Sequence, residues 1–305
     1  MQAIVLSEYG DPNQLEFRER PEPEPGAGQI KVRVASASLN PVDWKLRSGA
    51  LQKVMPLELP AILGRDAAGE VVRVGAGVTE FKEGDHVLGL VNGAYAQYVV
   101  AATEAWAKIP AGLSTSDAGA LPLALLTGDQ LAEATLGPSA GAGLTVLVTG
   151  AVGSVGRVAA WGIRQRGARV IAGVRSKQLD EAKSLDVDDV IALDDVDALA
   201  QLPALDCVAD TVGGETIQKL LPKIKSSGTI GSVVGEPKGA KERGLMVSAF
   251  LAHPDSAHLA RLAAAVAAGT LKIPIAKRFP LAEAPAAHAL AENGGIGKIL
   301  LMPFA

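Results

Sequence analysis

The stretch Leu144-Thr-Val-Leu-Val-Thr-Gly-Ala-Val-Gly-Ser-Val-Gly156 decides how this chain is read. An apolar run breaks into closely spaced glycines, and a helix-compatible segment follows from Arg157. A dinucleotide-binding turn needs that order: a buried parallel strand, a tight turn, then a helix whose first N–H groups face a pyrophosphate. Gly153 has no Cβ and so permits a phosphate to approach the backbone, while Gly156 lets the helix lie close on the strand. Gly150, Ala151, Ser154 and Val155 complete the turn. Ala151 stands where the strict pattern has its first glycine, so the motif reads AxGxxG. A purely structural turn at a strand–helix junction is the other reading of the same residues.

Outside this stretch the chain divides by texture. Its 305 residues exceed a usual single domain, and 48% hydrophobic content supplies ample core. Residues 1–118 carry short alternating segments, such as Ile30-Lys-Val-Arg-Val34 and Gly69-Glu-Val-Val-Arg-Val74, separated by turn clusters such as Pro21-Glu-Pro-Glu-Pro-Gly26. Period-two strands with Gly/Pro punctuation predict a β-rich, barrel-like domain. Residues 119–252 alternate strand and helix, with continuous apolar strands expected at 144–149, 169–174, 189–192, 206–210, 229–234 and 245–251. That pattern predicts an α/β, doubly wound parallel sheet covered by helices on both faces. Residues 253–305 form a short tail, with helices near 255–268 and 281–292 and strands at 272–275 and 299–302. It is too small for a third domain and is expected to return to the first.

Composition excludes several classes. A net charge of -4 with dispersed Lys and Arg argues against a nucleic-acid partner. The single cysteine, Cys207, rules out an intramolecular disulfide or a multi-cysteine zinc lobe. No apolar run approaches a membrane span, and Met1-Gln-Ala-Ile-Val5 lacks the charged start of a signal peptide, so a cytoplasmic protein without a membrane partner is expected.

Eight collinear motifs then narrow the reading. They are Asn40-Pro-Val-Asp-Trp-Lys-Leu-Arg-Ser-Gly49, Leu63-Gly-Arg-Asp-Ala-Ala-Gly69, Gly84-Asp-His-Val87, Gly93-Ala-Tyr-Ala-Gln-Tyr98, Leu121-Pro-Leu-Ala-Leu-Leu-Thr127, the glycine turn, Asp210-Thr-Val-Gly-Gly214 and Gly297-Lys-Ile-Leu300. Together, nearly end to end, they resemble the medium-chain dehydrogenase/reductase superfamily in its zinc-independent quinone oxidoreductase branch. The resemblance implies a GroES-like substrate domain, a Rossmann domain and a cleft between them for a nicotinamide cofactor and its acceptor. It also implies a homodimer paired through the Rossmann sheet edge, near Leu245–Leu251.

Zinc-dependent members of that superfamily place a cysteine ligand where this chain has Asn40, and Gly-His-Glu where it has Gly64-Arg65-Asp66. An amide and a guanidinium are not zinc ligands, and the four histidines lack ligand spacing, so no metal is expected. Without a Lewis acid, the chemistry that suits the site is hydride transfer to an already electrophilic small molecule, a quinone or an α,β-unsaturated carbonyl. The second Rossmann strand ends in Arg175-Ser176-Lys177 rather than in the acid that binds a ribose 2′-hydroxyl. Two cations and a hydroxyl suit a 2′-phosphate, hence NADPH; the alternative is that both cations only solvate a helix start.

On the acceptor side, Asn40, Asp43 and Lys45 fall in the loop that lines the cleft in relatives. A turn-forming role for Asn40 and Asp43 stands equally beside a catalytic one. Lys45 occupies a place often held by tyrosine there, where it contacts the nicotinamide or donates a proton; Tyr95 is either another donor or a packed tyrosine. The resemblance brings Thr127, Ser232, Val233, Val234 and Gly235 toward the nicotinamide. Asp129 is expected to start a helix. Phe250 and Leu251 either wall the pocket or pack the core, and Gly297 and Lys298 reach the cofactor from the tail. Two rivals remain: an enoyl-thioester reductase, and a non-catalytic NADPH-binding protein with a structural or regulatory role.

Overall fold

The computed structural model describes residues 1–137, 141–295 and 297–305. The chain forms two compact units, Met1–Leu123 with Pro254–Ala305, and Ala124–His253. The first begins with β1 (Gln2–Leu6), β2 (Leu15–Glu19), β3 (Gln29–Leu39), α1 (Pro41–Arg47), β4 (Ala61–Ile62) and β5 (Asp66–Val74). β6 (His86–Leu90), β7 (Tyr98–Ala102), β8 (Trp106–Lys108) and α2 (Thr115–Ala118) follow, and α3 (Pro122–Leu136) carries the chain into the second unit.

The second unit continues with β9 (Thr145–Thr149), α4 (Ser154–Gln165), β10 (Arg169–Val174), α5 (Leu179–Ala182), β11 (Asp189–Ala192) and α6 (Val196–Ala200). It closes with β12 (Leu205–Asp210), α7 (Gly214–Leu220), β13 (Ile224–Ser232) and β14 (Met246–Ala249). The chain then returns to the first unit through α8 (Ser256–Ala267), β15 (Ile275–Pro280), α9 (Ala284–Glu292) and β16 (Lys298–Met302).

In the second unit six parallel strands lie in the order β11-β10-β9-β12-β13-β14. Numbered within the unit this is 3-2-1-4-5-6, the doubly wound order of the dinucleotide-binding fold. Val146, Leu147, Val148, Val170, Ala172, Val208 and Ala209 are fully buried, as expected for strands covered on both faces. The order reverses between β9 and β12, which puts a ligand crevice at the C-terminal ends of those strands.

In the first unit, β15-β16-β3-β5-β6-β8 form one sheet, with β7 on β3, and β2-β1-β4 a smaller one. β16 pairs antiparallel with the C-terminal end of β3, Ile299 opposite Leu39, so the last strand of the chain meets the segment that leads into α1. Two expectations need correction. The strand expected at 272–275 runs instead over Ile275–Pro280, because Pro274 has no N–H to give a ladder and the pairing with β16 begins after it. Asp129 does not start a helix: it lies inside α3, buried, and pairs with Arg166 at 3.0 Å.

The turn after β9 has the geometry its glycines allow. Gly150 has φ +63°, and a Cβ there would lie 2.6 Å from Thr211 Oγ1. A Cβ on Gly156 would stand 2.2 Å from the Gly150 carbonyl oxygen and 2.9 Å from Ala151 Cα. Alanine is the better helix former by about 1 kcal/mol, so any net loss on substitution isolates this close approach. Gly156→Ala is expected to lower unfolding free energy by about 1–3 kcal/mol in urea titration; unchanged or raised stability would show that the helix does not lie this close on the strand.

Candidate active site

In the second unit the glycine turn leads directly into α4. Gly153 precedes α4 with no side-chain cap, so nothing on the residue itself satisfies the first N–H groups of a 12-residue helix. The turn is held from beneath by Arg157, which is buried. Its Nε donates to the Val152 carbonyl at 2.8 Å, and Nη2 donates to Glu181 on α5 at 2.5 Å. The sequence reading did not single out Arg157; a charged residue on the buried face of α4 was the available signal.

Thr149 and Asp210 fasten the two strands that flank the crevice. Thr149 Oγ1 donates to Asp210 Oδ1 at 2.8 Å and accepts the Thr211 N–H at 2.9 Å. Asp210 Oδ1 also accepts the N–H groups of Val212 and Gly213, at 3.1 and 3.0 Å. Asp210 Oδ2 is buried without a hydrogen-bond partner among the described residues. Asp210 lines a cavity of about 550 Å³ together with Gly213, Ile217, Val234, Gly235 and Pro237.

Ser232 is buried and its Oγ accepts the Val234 N–H at 3.2 Å; the Val233 N–H donates to the Asp210 carbonyl at the same distance. Ser232–Gly235 thus sit beside the turn that follows β12, at the C-terminal end of β13. Phe250 is half-buried against the core and Leu251 is exposed. Thr127 is buried within α3.

Arg175, Ser176 and Lys177 are exposed at the end of β10. Arg175 Nε donates to Gln178 Oε1 at 3.1 Å. Ser176 gives both its N–H and its hydroxyl to Asp194 Oδ1, each at 2.7 Å, and these two hydrogen bonds hold the Asp194 carboxyl below its usual range. Asp194 comes from the loop after β11, a neighbour that β10 alone could not reveal.

In the first unit Asn40, Asp43 and Lys298 converge, and Ser38, Asp66 and Tyr95 join them. Asn40 is the residue before α1, yet its side chain does not close that helix. Its Oδ1 accepts from Lys298 Nζ at 2.6 Å, and its Nδ2 donates to Asp66 Oδ2 at 2.9 Å. Asp66 Oδ2 also accepts from Ser38 Oγ at 2.5 Å and from Lys298 Nζ at 3.2 Å. The other oxygen, Oδ1, accepts the Leu123 N–H at 2.6 Å. All of these side chains are buried. Gly297, at φ +76°, bends the chain so that the Lys298 N–H reaches the Pro274 carbonyl at 2.9 Å and β16 can begin. Lys45 takes no part in this cluster; its ammonium lies 5.5 Å from the Trp44 ring.

Asp43 Oδ2 accepts the Asn40 N–H at 2.8 Å, while Oδ1 is buried without a partner. Burial pushes this carboxyl up to about 7, against the lowering effect of the Asn40 hydrogen bond. Tyr95 is pushed well above its usual value by burial and by the Asp43 charge, and its ring meets His288 edge-on at 5.7 Å. His288 is fully buried, neither ring nitrogen has a hydrogen-bond partner among the described residues, and burial drives its pKa down to about 3.

The chain is similar in sequence and fold to known proteins over nearly its whole length. The family model for the alcohol dehydrogenase GroES-like domain matches residues 26–111, and that for zinc-binding dehydrogenase matches residues 185–301. The chain is 29% identical to a chloroplast envelope quinone oxidoreductase homolog of Arabidopsis thaliana, across 99% of this chain and 98% of that one. It is 30% identical to the quinone oxidoreductase of Coxiella burnetii, covering 99% of both chains with a TM-score of 0.89. A mycobacterial protein solved in complex with NADPH is 27% identical, with a TM-score of 0.81 over 99% of this chain and 100% of that one.

The buried imidazole makes stability fall in acid. The unfolded chain protonates His288 near 6.5 and the folded chain near 3, so stability is lost as pH falls through 6.5. Between pH 8 and pH 5 the wild type is expected to lose about 2 kcal/mol more than His288→Leu in denaturant titrations. Parallel loss in both proteins would show that the imidazole is not held neutral.

Proposed function

Because the chain belongs to the medium-chain dehydrogenase/reductase superfamily, in its quinone oxidoreductase branch, we propose that it is a zinc-independent, NADPH-dependent reductase of quinones or α,β-unsaturated carbonyls. The observation that carries this reading is the donor set around Asp66. Where zinc-dependent members hold their metal, this chain offers the amide of Asn40 and the guanidinium of Arg65. Asn40 Oδ1 is bound to Lys298, and Arg65 Nη1 donates to Asn92 Oδ1 at 2.7 Å. The Asp66 carboxylate is occupied by four donors, and the single cysteine is buried in β12. These residues do not fit a zinc ion, and no step is drawn through one.

The second unit does fit a dinucleotide. The uncapped start of α4, the positive φ of Gly150 and the Cβ-free face of Gly153 leave N–H groups and space for a pyrophosphate. A bound nicotinamide cofactor supplies the hydride and its two electrons. Gly150, Ala151, Gly153, Ser154, Val155 and Gly156 would hold the pyrophosphate, with Thr127, Ser232, Val233, Val234 and Gly235 nearer the nicotinamide. Arg175 and Lys177 would bind the 2′-phosphate by charge-assisted hydrogen bonds; Ser176, taken by Asp194, orients the loop between them.

Asn40, Asp43 and Lys45 are assigned to the acceptor side, where the reduced acceptor takes up its proton. The Asp43 carboxyl, held near half-protonation at neutral pH by burial, suits that exchange. Edge strand β14, with Met246 exposed, is the surface through which two copies would pair.

Oxidation of NADPH by a panel of small quinones and enones tests the reaction, and tight NADPH binding without turnover across the panel would overturn it. Arg175→Ala with Lys177→Ala is expected to reduce the preference for NADPH over NADH in kcat/KM by about tenfold or more, given about 1.5–3 kcal/mol per charged hydrogen bond. An unchanged preference would remove the phosphate assignment. Prolonged treatment with 1,10-phenanthroline should leave turnover intact, whereas activity lost to the chelator and restored by Zn²⁺ would contradict the metal-free assignment.

A further inference from the structure

The loop assigned to the 2′-phosphate already holds an anion, and that anion belongs to the protein. β10 and β11 are parallel neighbours, Val174 opposite Ala192, so the residues after their C-terminal ends lie side by side. Asp194 follows β11 and offers one oxygen, Oδ1, to two donors of Ser176, the N–H and the hydroxyl, each at 2.7 Å. Asp195, next in the chain, is accounted for by α6: it accepts the N–H groups of Asp197 and Ala198 at 2.9 and 3.1 Å. Asp194 has no such capping role; the bonds it makes go to the loop after β10.

Arg175 and Lys177 flank Ser176, and all three are exposed, as is Asp194. Among the described residues neither cation forms a salt bridge, and the Arg175 side chain donates only from Nε, to Gln178. The two Ser176 hydrogen bonds, and to a lesser degree the Arg175 charge, hold the Asp194 carboxyl below its usual range, so it is ionised at neutral pH. A backbone N–H, a hydroxyl and two cations are the donors that suit a phosphate monoester. A carboxylate bound to the first two stands in for that group.

Resting on the cofactor reading above, we infer that Asp194 is a specificity-determining residue of the ribose site, an internal competitor that lowers the affinity for a 2′-phosphate. An incoming phosphate must either displace the carboxylate from Ser176 or lie beside it as a like charge, and both weaken NADPH binding. A ribose with a free 2′-hydroxyl carries no charge there and meets neither cost. It also finds an acid close to where dinucleotide-binding folds that take NAD place one, here supplied by the loop after the third strand of the unit rather than by the end of the second. One loop therefore carries opposed signals. Its cations favour the phosphate, and Asp194 narrows that preference, leaving NADH a usable cofactor.

The test reads the adenosine half alone, on the full chain, by isothermal titration calorimetry with 2′,5′-ADP and 5′-AMP, probes that differ only in the 2′-phosphate. Asp194→Asn keeps an oxygen for Ser176 and removes the charge; Asp194→Ala removes both. Each variant is expected to bind 2′,5′-ADP at least about threefold tighter than the wild type, the scale of one exposed charge contact, while 5′-AMP changes less than about twofold. The gain should shrink as NaCl rises from about 0.05 to 0.5 M, because exposed charges are screened. The ratio of NADH to NADPH dissociation constants, read by nicotinamide fluorescence, should rise in both variants. Unchanged or weaker binding of 2′,5′-ADP in either variant, or equal tightening of both nucleotides, would make the Asp194–Ser176 contact a structural tie and overturn the inference. The premise is read separately with Arg175→Ala and Lys177→Ala combined. If that protein does not lose more affinity for 2′,5′-ADP than for 5′-AMP, the loop is not the phosphate site and the NADPH assignment falls. If it does, and the Asp194 variants still bind like the wild type, only the competitor role falls.

Discussion

The carboxylate of Asp66 is the constraint on which the first unit depends. It accepts from Ser38 at the end of β3, from Asn40 before α1, from Leu123 in the first turn of α3, and from Lys298 at the start of β16. Four segments, the furthest 232 residues away in sequence, therefore meet at one buried charge. Removing one partner of such a pair leaves an uncompensated charge in a low-dielectric interior, a loss of about 3–5 kcal/mol. Three of these donors, Ser38 Oγ, Asn40 Nδ2 and Lys298 Nζ, share Asp66 Oδ2, and Lys298 Nζ also donates to Asn40 Oδ1.

Beside the cluster lies a second buried polar group set, less well satisfied. Asp43 Oδ1, Arg47 Nη1 and both nitrogens of His288 are without partners among the described residues. Arg47 forms an ion pair with Glu292 and donates from Nε to the Gly10 carbonyl at 3.1 Å, tying α1 to α9. Unpaired groups this deep raise the free energy of the folded state. Their effect appears in the raised Asp43 and lowered His288 pKa values, which burial displaces in opposite directions because the two groups are charged on opposite sides of their titrations.

The parallel sheet of the second unit was legible because its cues are local. Continuous apolar runs at 144–149, 169–174 and 206–210 appear as β9, β10 and β12 to within a residue, and the glycines that break the first run form the turn. The error at 272–275 came from the same kind of cue: an Ile-Pro-Ile alternation looks like a strand, but the missing N–H of Pro274 delays pairing until Ile275. Asp129 misled because an acid after a glycine suggests a helix start; its pairing with Arg166, 37 residues on, is what accommodates it inside α3.

The sequence by itself determined the strand–turn–helix platform, the parallel order of elements after it and the absence of ligands for a multi-cysteine zinc lobe. Backbone conformation near a glycine, strand burial and ligand chemistry are set by residue type and short spacing, so they can be read along the chain. Only the tertiary structure decided that Lys298 meets Asp66 and Asn40, that Asp194 occupies Ser176, and that the His288 ring lies edge-on to Tyr95. Those meetings depend on which strands become neighbours and in what register. That is settled by burial of the whole core, and no local pattern encodes it.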